Sequence, residues 1–89
     1  MGTIAATNMP KIRRTGIPPP LFIHLADRRV KWGISYDELM DFGAWLDRNP
    51  EAPPGKWFKS FPNFFICGEG ELVKTFLPKG RLPQGTEIV

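Results

Sequence analysis

One histidine, one cysteine and nine acids are the side chains of this 89-residue chain with the potential for catalysis. Cys67 with His24 would give a nucleophile and its base. The surroundings argue otherwise. Cys67 closes the run Phe64-Phe65-Ile66-Cys67, where a free cysteine behaves as a small buried hydrophobe; a reactive thiolate needs an electropositive, partly exposed setting. His24 falls on the polar side of a predicted helix, a surface position. Asp37, Glu38 and Asp41 can share a helix face, but general acid–base work needs one carboxyl desolvated so that the two pKa values split. These lie opposite an apolar arc and face water. One His, one Cys and dispersed acids match no metal-ligand spacing. Gly68-Glu69-Gly70 supplies a G-x-G without the third glycine or the following helix that would meet a pyrophosphate. The sequence therefore predicts a protein that is not an enzyme, with no catalytic residue, metal or cofactor.

Binding is the remaining class, and the charges are segregated. The net charge of +3 permits an anionic partner without requiring one. Lys11, Arg13 and Arg14 stand together without an acid, as do Arg28, Arg29 and Lys31, and then Lys74, Lys79 and Arg81. Asp37, Glu38, Asp41 and Asp47 gather against Arg48 alone. A basic helix packed beside an acidic one would absorb part of this as internal complementarity, but not the two basic ends. Near the second end, Leu77-Pro78-Lys79-Gly80-Arg81-Leu82-Pro83 resembles the core of an AT-hook, in which a Pro-flanked Arg-Gly-Arg lies in the DNA minor groove. Lys79 stands where that motif has its first Arg, and Leu82 separates Arg81 from the second proline. A lysine is a point charge without the planar fork of arginine, so what the resemblance implies is phosphate contact. The plainer account of the same residues is a turn kept soluble by its charges. The candidate nucleic-acid contacts are Lys11, Arg13, Arg14, Arg28, Lys74, Lys79 and Arg81.

Aromatics supply a second chemistry. Trp57-Phe58-Lys59-Ser60-Phe61 interleaves rings with a cation, as surfaces that stack single-stranded bases do. In a strand, Trp57, Lys59 and Phe61 share one face and Phe58 takes the other. One aromatic set must serve the core of so short a chain. Trp45 falls between Glu38 and Asp41 on the helical wheel, off the main apolar arc, so it is either covered by the sheet or left as an anchor for a partner. The sequence thus offers two functions: a small binding or regulatory module that touches nucleic acid through basic termini, or a protein-interaction module using Trp45, Trp57 or an exposed sheet edge.

The elements that must position these residues are readable from periodicity. Residues 1–17 have no sustained period and read as a flexible basic arm. A helix is predicted from Pro20 to Lys31, with Leu21, Phe22, Leu25, Ala26 and Val30 on its apolar side at about 100° per residue. Ser35 and Glu38 form a capping box for a second helix that Asn49-Pro50 stops. Its expected buried arc is Tyr36, Leu39, Met40, Phe42, Gly43 and Leu46, with Gly43 allowing close helix–helix approach. After a proline-rich loop, "KWFKSF", "NFFIC" and "ELVKTFL" read as strands, the last two joined through Gly68-Glu69-Gly70. The expectation is α+β: two antiparallel-packed helices on a two- or three-stranded antiparallel sheet, one domain over residues 18–78, with 79–89 a flexible Pro/Gly tail. No stretch of 18 apolar residues spans a membrane, and a lone cysteine fits a reducing cytoplasm.

Overall fold

Pro19–Lys31 forms α1, opening on prolines in its first turn, where their missing N–H groups leave no intrahelical bond unmade. α2 spans Tyr36–Leu46 behind the capping box: Ser35 Oγ accepts from the Glu38 amide at 3.1 Å, and the Glu38 carboxylate accepts from the Ser35 amide at 2.9 Å. Four strands follow: β1 Lys56–Ser60, β2 Phe64–Glu69, β3 Leu72–Pro78 and β4 Thr86–Ile88. This computed structural model describes residues 10–89, so the part of the predicted arm at residues 1–9 lies outside it.

The α+β class is as expected, but the sheet is larger and mixed. Its order is β3-β2-β1-β4, with β1–β2 and β2–β3 antiparallel and β4 parallel to β1. The β2–β3 turn falls at Gly70-Glu71, which leaves Gly68 inside β2, opposite Trp57 and Val73.

Parts of both predicted ends make backbone contacts with the domain where the structure describes them. Thr86–Ile88, expected in a tail, pairs Trp57, Phe58 and Lys59 through Thr86, Glu87 and Ile88. Residues 10–13, expected in the arm, are held by backbone bonds: Ile12 N–H to Pro50 O at 3.0 Å, Arg13 N–H to Glu71 O at 2.7 Å, and Ala52 N–H to Pro10 O at 2.8 Å. The reason is apolar. Ile12 is 4% exposed in the core and Ile88, partly buried, packs against it, so each end carries an apolar side chain whose burial, about 1.5–3 kcal/mol when complete, favours docking the segment.

The helices also sit differently from their hydropathy. In α2 the buried residue is Trp45, 8% exposed, with Leu39, Phe42 and Leu46 packed beside it. Tyr36 and Met40, expected inside, are 68% and 57% exposed. In α1 only Leu25 is buried, while Phe22 and Val30 are 62% and 77% exposed. One large indole decides the rotation of α2: Trp45 lies 6.1 Å from both Trp57 and Phe61 and 6.3 Å from Phe42 between ring centres. Nor do the helices pack on each other. An apolar groove of about 360 Å³ separates them, walled by Phe22, Leu25 and Ala26 on one side and Leu39, Phe42 and Gly43 on the other, over Val73 and Phe76 of the sheet. A Cβ on Gly43 would meet nothing within 4 Å, so the close approach expected there is absent.

Candidate nucleic-acid interface on the sheet

Alternation along the strands divides the sheet into two faces. The core face carries Trp57, Phe61, Phe64, Ile66, Val73 and Phe76. Trp57 is 0% exposed, its indole N–H donating to Gly70 O at 2.8 Å. The opposite face is set by register: Lys56, Phe58 and Ser60 of β1 stand beside Glu69, Cys67 and Phe65 of β2, and Thr75 and Leu77 of β3 beside Cys67 and Phe65. Phe58 and Phe65 meet edge to face, ring centres 5.9 Å apart and planes at 88°. Both rings are half-buried and belong to no core cluster.

The chain must cross this face to put β4 on the far edge of the sheet from β3. Leu82, Pro83 and Gln84 of the crossing segment share a cleft of about 350 Å³ with Lys56, Cys67, Glu69, Lys74 and Thr75. Where the crossing starts, Lys79 Nζ donates to Ser60 Oγ at 2.6 Å and lies 4.4 Å from the Phe65 ring centre. Where it ends, Gly85 has φ of +98° and runs so close to Lys56 that any Cβ would strike the Lys56 carbonyl.

The two residues that could form a nucleophilic pair come near each other without pairing. Thr75 lies across the β2–β3 register from Cys67, and His24 Nε2 shares a hydrogen bond with Thr75 Oγ1 at 3.2 Å. Burial pushes the Cys67 thiol up to about 11, the opposite of what an attacking thiolate requires. Among the described residues no three His, Cys, Asp or Glu side chains gather to hold a metal, and no helix is long and apolar enough to cross a membrane.

The predicted contact residues divide. Lys11 lies 3.6 Å from Glu51 and Arg13 3.1 Å from Glu71, while Arg14 pairs with Asp47 and donates to Gly43 O at 3.3 Å. Such exposed pairs are worth about 0–1 kcal/mol each, yet they put acids beside every described cation of the arm. Arg28 is half-buried on α1, 3.9 Å from Asp27, and Arg81 lies over Trp32 at 5.4 Å. Only Lys74 and Lys79 come to the open face. Of the two placements weighed for Trp45, the structure has the buried one, and Trp57 is buried with it: both indoles fill the core. Sequence reasoning did not single out Lys56 and Phe65 as contacts, although period-two alternation sets Phe65 apart from Phe64 and Ile66.

Compared with protein-family models, curated proteins and solved structures, the chain matches none.

Proposed function

We propose that the protein is a non-catalytic binding module that holds single-stranded nucleic acid against the open face of its sheet. The observation that carries this reading is the Phe58–Phe65 pair on the two central strands, outside the core, with Lys79 over the Phe65 ring and Lys56 and Lys74 lining a cleft farther along the same face. Bases present π-faces whatever their identity, and stacking on an aromatic ring is worth about 1–3 kcal/mol per base. Lysines around the rings meet the phosphates between stacked bases. A duplex keeps its bases stacked on each other and cannot use the rings, so the preferred ligand is unpaired. The basic arm, part of the sequence expectation, gives way to this face because its described cations already have acidic neighbours, whereas Lys79 of the second basic end lies on the face itself.

Fluorescence anisotropy with labelled oligothymidylate and oligouridylate tests the proposal. Phe58→Ala and Phe65→Ala should each weaken binding about 5- to 150-fold, the range that 1–3 kcal/mol of stacking implies. Three lysines meeting phosphates give a log–log salt slope of about −2 at roughly −0.7 per phosphate. No binding at low salt, or Phe58 and Phe65 variants that bind like wild type, would sink the reading. A protein partner is the second reading. The exposed apolar side chains of α1 and α2 favour it, rather than Trp45 or the sheet edge at β4.

A further inference from the structure

The helix layer presents an apolar surface that the monomer leaves uncovered. Phe22, Ile23 and Val30 of α1 and Tyr36 and Met40 of α2 are each more than half exposed, and Phe22 also walls the groove between the helices. A monomer seldom exposes a contiguous apolar area of more than a few hundred Å² without using it. The surface is too broad for a small ligand seated in the groove, because the most exposed side chains lie outside its walls.

The charges on the same helices indicate what covers it. α1 carries Arg28, Arg29 and Lys31 against Asp27, whereas α2 carries Asp37, Glu38 and Asp41 and no cation. These opposite charges are not spent on each other within the chain. Among the described residues the ion pairs are Lys11–Glu51, Arg13–Glu71, Arg14–Asp47 and Asp27–Arg28, and none joins α1 to α2. Arg29, Lys31, Asp37 and Asp41 take part in no ion pair, and the Arg29 Nε–H is enclosed with no acceptor. A surface with a basic apolar helix beside an acidic apolar helix complements itself under two-fold rotation, since an isologous contact sets α1 of one copy on α2 of the other, twice.

We infer that the chain forms a symmetric homodimer through its helix layer, α1 of each protomer lying against α2 of its partner. The exposed apolar side chains form the centre of the interface and the helix charges its rim, where they set orientation more than affinity. The helices lie on the core side of the sheet, so the dimer leaves Phe58 and Phe65 uncovered, and it stands or falls independently of the nucleic-acid reading.

Sedimentation equilibrium of the full chain across a wide concentration range tests it. The wild type should show a reversible monomer–dimer equilibrium. A basic-to-acidic variant of α1 (Arg29→Glu with Lys31→Glu) and an acidic-to-basic variant of α2 (Asp37→Lys with Asp41→Lys) should each associate at least about tenfold more weakly alone. Mixed, they should restore a dimer containing one of each. Circular dichroism establishes that each variant is folded. Val30→Ser, at a side chain 77% exposed, should weaken the dimer without unfolding the monomer. A wild type that stays monomeric at millimolar concentration overturns the inference. So do folded charge variants that self-associate like wild type, or a mixture that forms no heterodimer.

Discussion

Replacing Gly43 by alanine tests the placement of the two helices directly. Gly43 lies inside α2, where glycine is about 0.8–1.0 kcal/mol less favourable than alanine, because it surrenders more backbone freedom on folding. That gain is cancelled when a tight contact needs the missing methyl. Here a Cβ built on Gly43 finds nothing within 4 Å, since the position opens on the groove between α1 and α2. The Gly43 carbonyl, which accepts from Arg14 Nη1, is untouched by the substitution. The net expectation is stabilisation by about 1 kcal/mol, which for a chain of this size raises Tm by about 4–8 °C. Thermal unfolding followed by circular dichroism reads it, at one low protein concentration, so that self-association does not contribute to Tm. A Tm that is unchanged or lower would mean that α1 closes on Gly43 as in a packed helical pair, and the groove argument would fail with it.

Gly68→Ala should do the reverse: its methyl would run into the Trp57 ring and the Leu72 carbonyl, and such overpacking costs about 1–3 kcal/mol, lowering the midpoint of urea unfolding. Ser35→Ala removes the hydroxyl that caps α2 and should cost about 1 kcal/mol in the same assay. The Ser35 backbone N–H, the Asn63 amide and the Ser35 hydroxyl hold the Glu38 carboxyl below its ordinary value of 4.5. Its contribution is therefore present above that value and lost as pH falls through the lowered one, so the deficit of Glu38→Gln at neutral pH should vanish in acid. Cys67, its thiol raised from 9.0 to about 11 by burial, should alkylate at pH 8 roughly 100-fold more slowly than an unperturbed cysteine, from its smaller thiolate fraction. The stability linked to that thiol is present below pH 9 and fades as pH rises through about 11; alkylation at the rate of an unfolded peptide would refute the burial.

Local signals were strong enough to place most elements. Ser35 and Glu38 mark the start of α2, and the aromatic, β-branched runs mark β1, β2 and β3, because capping and alternation act between residues close in sequence. Helix rotation was less legible. Counting apolar positions on a wheel weights Tyr36, Met40 and Val30 like core residues, but a tryptophan buries more area than any of them. Trp57 and Phe61 select Trp45 as their packing partner, and the helix turns to deliver it. Ile12 and Ile88 were hidden for a related reason: a single apolar residue among prolines, glycines and charges has no period. Only the long-range partners at Pro50, Glu71 and Trp57 show why these segments dock. The open face was half legible. Alternation separated Phe58 from Trp57, but nothing local placed Lys79 over Phe65.

The stretch from Pro78 to Gly85 accounts for its own composition. To pair parallel with β1, the segment that leaves β3 must pass over β2 and β1 without adding a ladder of its own, and prolines at 78 and 83 suit a segment that donates no strand bonds. It needs fastening at its start, which Lys79 provides through Ser60 and the Phe65 ring, with Arg81 lying over Trp32. It needs a residue without Cβ where it passes Lys56, and Gly85 is there. A Pro-flanked Lys-Gly-Arg therefore arises from the demands of a sheet crossing, with no nucleic acid invoked. What those demands leave unexplained is the pair of phenylalanines beside the crossing. They add nothing to the core cluster, and a connection needing only support could rest on aliphatic side chains. The case for a ligand accordingly rests on Phe58 and Phe65 rather than on the basic motif that resembles a DNA contact.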